Sequence, residues 1–123
     1  MAVRILIVDD RGELRRLVKM TLEPGNYELL EADSSASALQ MLNTVKPELV
    51  VLDVMLPGSM NGYQICDMIK QQPDTKNTKV VMLSAKGQLA DLEKGRLTGA
   101  DAYLVKPFSP MKLMTTVEQL LFG

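Results

Sequence analysis

Five residues of this chain are of types and positions that could handle phosphate or a metal: Asp9, Asp10, Asp53, Ser84 and Lys106. Each ends or directly follows a short apolar run. Three carboxylates brought to one edge repel one another unless a cation joins them. An oxygen-only donor set with room for water suits Mg²⁺, which takes one or two carboxylates and keeps several waters for phosphate oxygens. A lysine opposite supplies compact positive charge for a phosphoryl group, and a serine hydroxyl can donate a hydrogen bond to it. A carboxylate can itself accept phosphate as aspartyl-phosphate. The charges balance, with about −3 from the aspartates against about +3 from Mg²⁺ and lysine. A phosphoryl group added to that set leaves excess negative charge, which nearby donors must move to meet.

The elements that position these residues alternate along the whole chain. Val3–Val8 is β-branched and reads as a strand buried on both faces. Arg11–Glu23 follows as a helix with Leu14, Leu17, Val18 and Leu22 on its inward stripe, ended by Pro24-Gly25. Tyr27–Ala32 is a second strand. The Ser34-Ser35 pair caps a helix with Ala38, Leu39, Leu42 and Val45 inward, stopped by Lys46-Pro47. Glu48–Leu52 is a third strand, ending at Asp53. A loop containing Pro57, Gly58 and Gly62 leads to a helix with Ile65, Cys66 and Ile69 on its apolar side. Pro73–Thr78 reads as a polar turn, and Lys79–Leu83 as the fourth strand. A weak helix is expected at about Gly87 to Thr98, with Gly99 as its cap. Ala102–Val105 is the fifth strand, and Pro110–Leu121 a last helix with Met111, Met114, Val117 and Leu121 in register. Five strands alternating with five helices predict a three-layer α/β/α sandwich on a parallel sheet. In such open sheets ligands bind beyond the carboxyl ends of the strands, where the five residues fall. No repeat, low-complexity tract or linker interrupts the pattern, so one domain over residues 1–123 is expected.

Composition limits the function. Hydrophobic residues make up 46% and charged residues 24%, with a net charge of −1, so no bulk electrostatic footprint marks nucleic acid or an anionic membrane as partner. The chain has no histidine, which removes His-based acid–base catalysis, catalytic triads and the usual zinc sites. Cys66 is the single cysteine and reads as a small core residue in a reducing compartment. The first apolar run is too short and wrongly flanked for a signal peptide, and no run reaches membrane-spanning length. A cytoplasmic location is expected. The nine methionines are scattered over core positions and read as filler.

Taken in order, Asp9-Asp10, Asp53 within LVVLDVMLPG, Ser84-Ala85 and the run GADAYLVKPF (residues 99–108) resemble the receiver domain of two-component response regulators, over the whole chain. That resemblance implies a flavodoxin-like, CheY-like sheet of order 2-1-3-4-5. It implies that Asp53 accepts a phosphoryl group from a phosphohistidine on a sensor histidine kinase or phosphotransfer protein. Asp10, Asp53 and the backbone carbonyl of Met55 would hold Mg²⁺, with Asp9 acting through water. Lys106 would contact the phosphoryl group, Ser84 would move toward it, and Tyr103 would turn inward as the coupled aromatic switch. The fourth helix, fifth strand and fifth helix would carry the output, to a downstream protein, an output domain outside these residues, or a second copy in a phosphorylation-linked homodimer. The domain would be a phospho-acceptor and not an enzyme beyond its own phosphotransfer and dephosphorylation, with no membrane or direct nucleic-acid contact. The stretch Val54–Asn61 is one residue longer than the family's usual loop.

Taken singly, each residue has a plainer reading. Asp10 is equally placed to cap the first helix, with Glu13 as capping-box partner. Ser84 alone is more often a helix cap, Tyr103 alone is ordinary packing, and Lys106-Pro107 alone is a turn open to a cis bond. An aspartyl phosphatase usually carries a second acid two residues after its nucleophile, where this chain has Met55. Dinucleotide binding lacks its GxGxxG after the first strand, and Asp9-Asp10 would repel a phosphate there without a metal. A receiver that binds its partner without phosphorylation remains the fourth alternative.

Overall fold

A computed structural model describes residues 2–84 and 99–123. The expected helix at about Gly87 to Thr98 lies outside them. The described elements are β1 (Val3–Val8), α1 (Gly12–Leu22), β2 (Tyr27–Ala32), α2 (Ser35–Thr44), β3 (Leu49–Asp53), α3 (Gly62–Gln71), β4 (Lys79–Ser84), β5 (Ala102–Val105) and α4 (Pro110–Phe122). The strands form one parallel sheet in the order β2-β1-β3-β4-β5, the order that the resemblance implied.

Period-two alternation divides the core between the sheet's two faces. Leu6, Val8, Val50, Leu52, Val80 and Met82 pack beneath α2 and α3, against Ala38, Leu42, Ile65, Cys66 and Ile69. Ile5, Ile7, Leu49, Val51, Val81 and Leu83 face α1 and α4, against Val18, Leu22, Leu113 and Val117. Both faces of the central strands are therefore covered, which is why β1, β3 and β4 read as continuous apolar runs.

The ends of the helices have local causes. The Ser34 side chain accepts from the Ser37 N–H, and Ser109 from that of Lys112, with Pro110 opening α4. Asn61 and Gln64 form a reciprocal capping box at the start of α3. Lys46 turns into the left-handed region at φ 55° ahead of Pro47 and ends the α2 segment. The Lys106-Pro107 bond is cis.

Two expected core positions lie elsewhere. Leu17 is 44% exposed, because α1 buries a narrower stripe of Val18, Thr21 and Leu22. Met111 is 71% exposed in the first turn of α4, and Leu113 and Val117 carry that helix's fully buried contacts. The Pro73–Thr78 turn is less polar in effect than it reads. Thr75 and Thr78 are buried and donate their hydroxyls to the carbonyls of Ile69 and Pro47.

Candidate functional site

Parallel strands of matched length end together, so the residues that follow them share one rim. β1 delivers Asp9 and Asp10, β3 delivers Asp53, β4 ends at Ser84, and β5 is followed by Lys106. One carboxylate oxygen from each of Asp9, Asp10 and Asp53 lies within 4.8 Å of the other two. Asp9, Asp53 and Ser84 are each 2% exposed, whereas Asp10 faces solvent.

The buried acids are held by matched donors. Lys106 Nζ lies 3.0 Å from Asp53 Oδ1 and 3.4 Å from Asp9 Oδ2, bridging the two. The Met55 backbone N–H donates to the same Asp53 oxygen at 3.2 Å, so the loop after β3 folds back over its own acid. The Lys106 backbone N–H donates to the Ser84 carbonyl, which ties the residue after β5 to the end of β4. Charge-assisted bonds of this kind are stronger than neutral ones and fix carboxylate orientation.

The loop is anchored by a close approach that only glycine permits. A Cβ on Gly62 would stand 2.2 Å from the Asp53 carbonyl oxygen and 2.8 Å from Val54 Cα. The bare backbone there lets the Gly62 N–H donate to the Val54 carbonyl at 3.0 Å. At Gly58, φ is 114°, a conformation that L residues rarely adopt, and a Cβ would meet Ser35 Oγ at 2.6 Å. The longer loop is thus pinned at Met55, Gly58 and Gly62.

The expected trio, Ser84 and Lys106 come together as read from the sequence. Tyr103 is half-buried on β5, with its hydroxyl 3.4 Å from that of Tyr63 on α3. The capping reading of Asp10 does not hold. Arg11 occupies the N-cap of α1 without a side-chain cap bond, and its N–H donates at 2.9 Å to Asp9.

Two arginines at this rim escaped the sequence reading. Arg11 Nε lies 3.4 Å from Asp9 Oδ1. That hydrogen bond first, and then the charges of Asp9, Asp53 and Asp10, raise its guanidinium above the ordinary arginine range against the opposing effect of burial. Arg15 donates to the Asp9 carbonyl at 2.8 Å and to Glu31 at 3.0 Å, clamping the turn after β1 from the side. The clue to Arg11 was its place directly after the acid pair; Arg15 left no sequence signal.

The donor set tests well against a metal. Three convergent carboxylate oxygens, with neither sulfur nor imidazole, are what a hard cation such as Mg²⁺ prefers. Among the described residues, three acids facing Lys106 and Arg11 leave one negative charge for it to meet.

A doubly wound sheet in this order defines a flavodoxin-like α/β domain, here with acids and a lysine at its carboxyl rim. Residues 5–118 match the family model of the response regulator receiver domain, and the chain belongs to that family. It is 40% identical over 121 residues to the phosphate regulon transcriptional regulatory protein PhoB of Klebsiella pneumoniae, a match covering 98% of this chain and 52% of PhoB. It is 39% identical over 118 residues to the transcriptional regulatory protein ResD of Bacillus subtilis, covering 96% of this chain and 48% of that protein. The chain thus spans about half the length of these curated relatives. Among solved structures, the signal receiver domain of a DNA-binding response regulator from Colwellia psychrerythraea 34H superimposes with a TM-score of 0.92 at 30% identity, covering 98% of this chain and 99% of that one. The chemotaxis response regulator CheY4 of Vibrio cholerae gives 0.89 at 29% identity, covering 98% and 100%. The fold and the two-component assignment therefore agree with the reading from residues. No helix among the described residues is long and apolar enough to cross a membrane.

Proposed function

We propose that residues 1–123 act as one receiver domain, a phosphorylation-driven switch whose acceptor is Asp53. One observation carries this reading: the Asp53 carboxylate is buried at the rim, bridged by Lys106, within 4.8 Å of the Asp9 and Asp10 oxygens. A carboxylate oxygen of Asp53 attacks the phosphorus of a phosphohistidine. The P–N bond breaks, the imidazole leaves with its electron pair, and an acyl phosphate forms. These 123 residues hold no histidine, so that donor lies outside them, on a histidine kinase or phosphotransfer protein, or is replaced by a small phosphodonor.

Asp10, Asp53 and the Met55 carbonyl would hold Mg²⁺, with Asp9 acting through water. When bound, Mg²⁺ neutralises charge on the phosphoryl oxygens during transfer. Lys106 would move from the carboxylates it now bridges to a phosphoryl oxygen. The Ser84 hydroxyl would follow, and Tyr103 would answer that movement from the next strand. The output would leave through β5 and α4 together with the segment between β4 and β5. The relatives are transcriptional regulators by name, so an attached output domain is one destination of that signal. Partnership with a histidine kinase and a buried Cys66 thiol imply the cytoplasm. A phosphatase reading is disfavoured because Met55, not an acid, follows two residues after Asp53.

Incubation with phosphoramidate and Mg²⁺, followed by intact mass, tests the reading. The expected result is a gain of one phosphoryl group that needs Mg²⁺ and is absent in Asp53→Asn. A gain that survives in that variant would refute the assignment. Ser84→Ala should still accept phosphate yet lose most of the difference in partner binding between the two forms.

A further inference from the structure

Among the described residues, Arg11 is the one charged side chain resting on the acidic trio for which the phosphotransfer reading has no use. Its guanidinium and its own backbone N–H meet the same oxygen, Asp9 Oδ1, at 3.4 and 2.9 Å, while Asp9 Oδ2 takes Lys106 at 3.4 Å. Both oxygens of that carboxylate therefore already face donors. The two cations differ in freedom. The Lys106 side chain is 12% exposed and also bound to Asp53, whereas the Arg11 side chain is 54% exposed. If Arg11 swings out, the backbone bond to Asp9 stays, so the turn after β1 keeps its shape.

We propose that Arg11 is a built-in competitor for the divalent cation: its guanidinium covers Asp9 when the trio is metal-free and leaves that oxygen when the trio holds the metal. The proposal rests on the Mg²⁺ reading above. Its physical ground is charge. A guanidinium and a dication against the same few carboxylate oxygens repel each other at contact distance, and the singly charged guanidinium, on a half-exposed side chain, is the one free to leave. Arg11 thus lowers metal affinity below what three carboxylates alone would give. It also supplies the positive charge that keeps the metal-free trio together.

The test is Mg²⁺ titration of the unphosphorylated ¹⁵N-labelled chain, followed through the amide shifts of Asp10 and Met55. Arg11→Gln should bind Mg²⁺ roughly two- to fivefold more tightly, the size of an exposed ion pair. That gain should shrink at high salt. Arg11→Lys, which keeps the charge, should stay close to the wild type. In EDTA, Arg11→Gln should melt below the wild type, and saturating Mg²⁺ should raise its melting temperature by more. Equal or weaker Mg²⁺ binding in Arg11→Gln would overturn the proposal, as would Arg11→Lys binding like Arg11→Gln. Absence of Mg²⁺ binding in the wild type and the variants alike would overturn the metal reading itself.

Discussion

The two rims of the sheet are built on opposite electrostatic plans. At the amino rim, charges have near partners of opposite sign: Lys70 sits 2.7 Å from Asp101 and donates to the Thr78 carbonyl, and the Arg4 guanidinium lies 3.6 Å from Glu28 while its backbone N–H donates to Glu48. Asp101 also accepts from the Val80 N–H. Beside them, Tyr27 stacks on Phe122 with ring centroids 6.5 Å apart. At the carboxyl rim, among the described residues, three carboxylates crowd two cations, and two of the three are buried. One rim uses polar groups to close the fold, and the other keeps an imbalance that a metal and a phosphoryl group can act on. Removing a carboxylate should therefore change stability with opposite signs at the two ends.

The largest effect belongs to the backbone beneath the acids. Gly62→Ala places a methyl against the Asp53 carbonyl and Val54, neither of which can rotate away. Overpacking of this kind costs about 1–3 kcal/mol, read as a lower urea midpoint, and should slow phosphorylation by shifting Asp53. Wild-type stability in this variant would mean that the loop is not held by that approach.

Asp53→Asn should act in the opposite direction. It removes the phosphoryl acceptor yet relieves repulsion, leaving two acids beside Lys106 and Arg11. In metal-free buffer we expect a gain of roughly 1 kcal/mol, a rise of about 4 °C in melting temperature. A clear loss would mean that the Lys106 bridge outweighs the repulsion, and that the two rims share one plan.

The sequence carries the carboxyl rim better than its supports. β1, β2 and β5 have the bounds read from the sequence; β1, covered on both faces, leaves an unbroken apolar signature, and the two edge strands are bounded by the turns beside them. The residues after those strands then follow from chain order alone. Leu17 and Met111 misled because helical spacing defines a stripe but not how far the neighbouring element covers it. Thr75 and Thr78 gave no hint of burial, since their acceptors, the carbonyls of Ile69 and Pro47, belong to other elements. Arg11 and Gly62 act through contacts with Asp9 and Asp53 that spacing does not encode. Spacing marked Gly62 as a loop glycine; the backbone it approaches lies nine residues earlier.

The smallest effects test the amino rim. Phe122→Ala removes half of an exposed stack and should cost about 0.5–1 kcal/mol with phosphorylation unchanged. Tyr27→Phe keeps the stack and removes only the hydroxyl, so it isolates the charge. Burial first, and then the negative charge of Glu118, disfavour the phenolate, and Tyr27 titrates above the ordinary tyrosine range. The folded chain therefore holds this proton more tightly than the unfolded one. That contribution is complete below the unfolded tyrosine value and is lost as pH rises through the folded one. Melting temperatures followed from pH 8 to about 11, the range around a free phenol, should fall more steeply in the wild type than in Tyr27→Phe. Every other ionisable group is common to both proteins, so the difference between the curves reports Tyr27. Coincident curves would mean that this rim tolerates a half-buried negative charge, and the contrast with the acidic rim would fail at its neutral end.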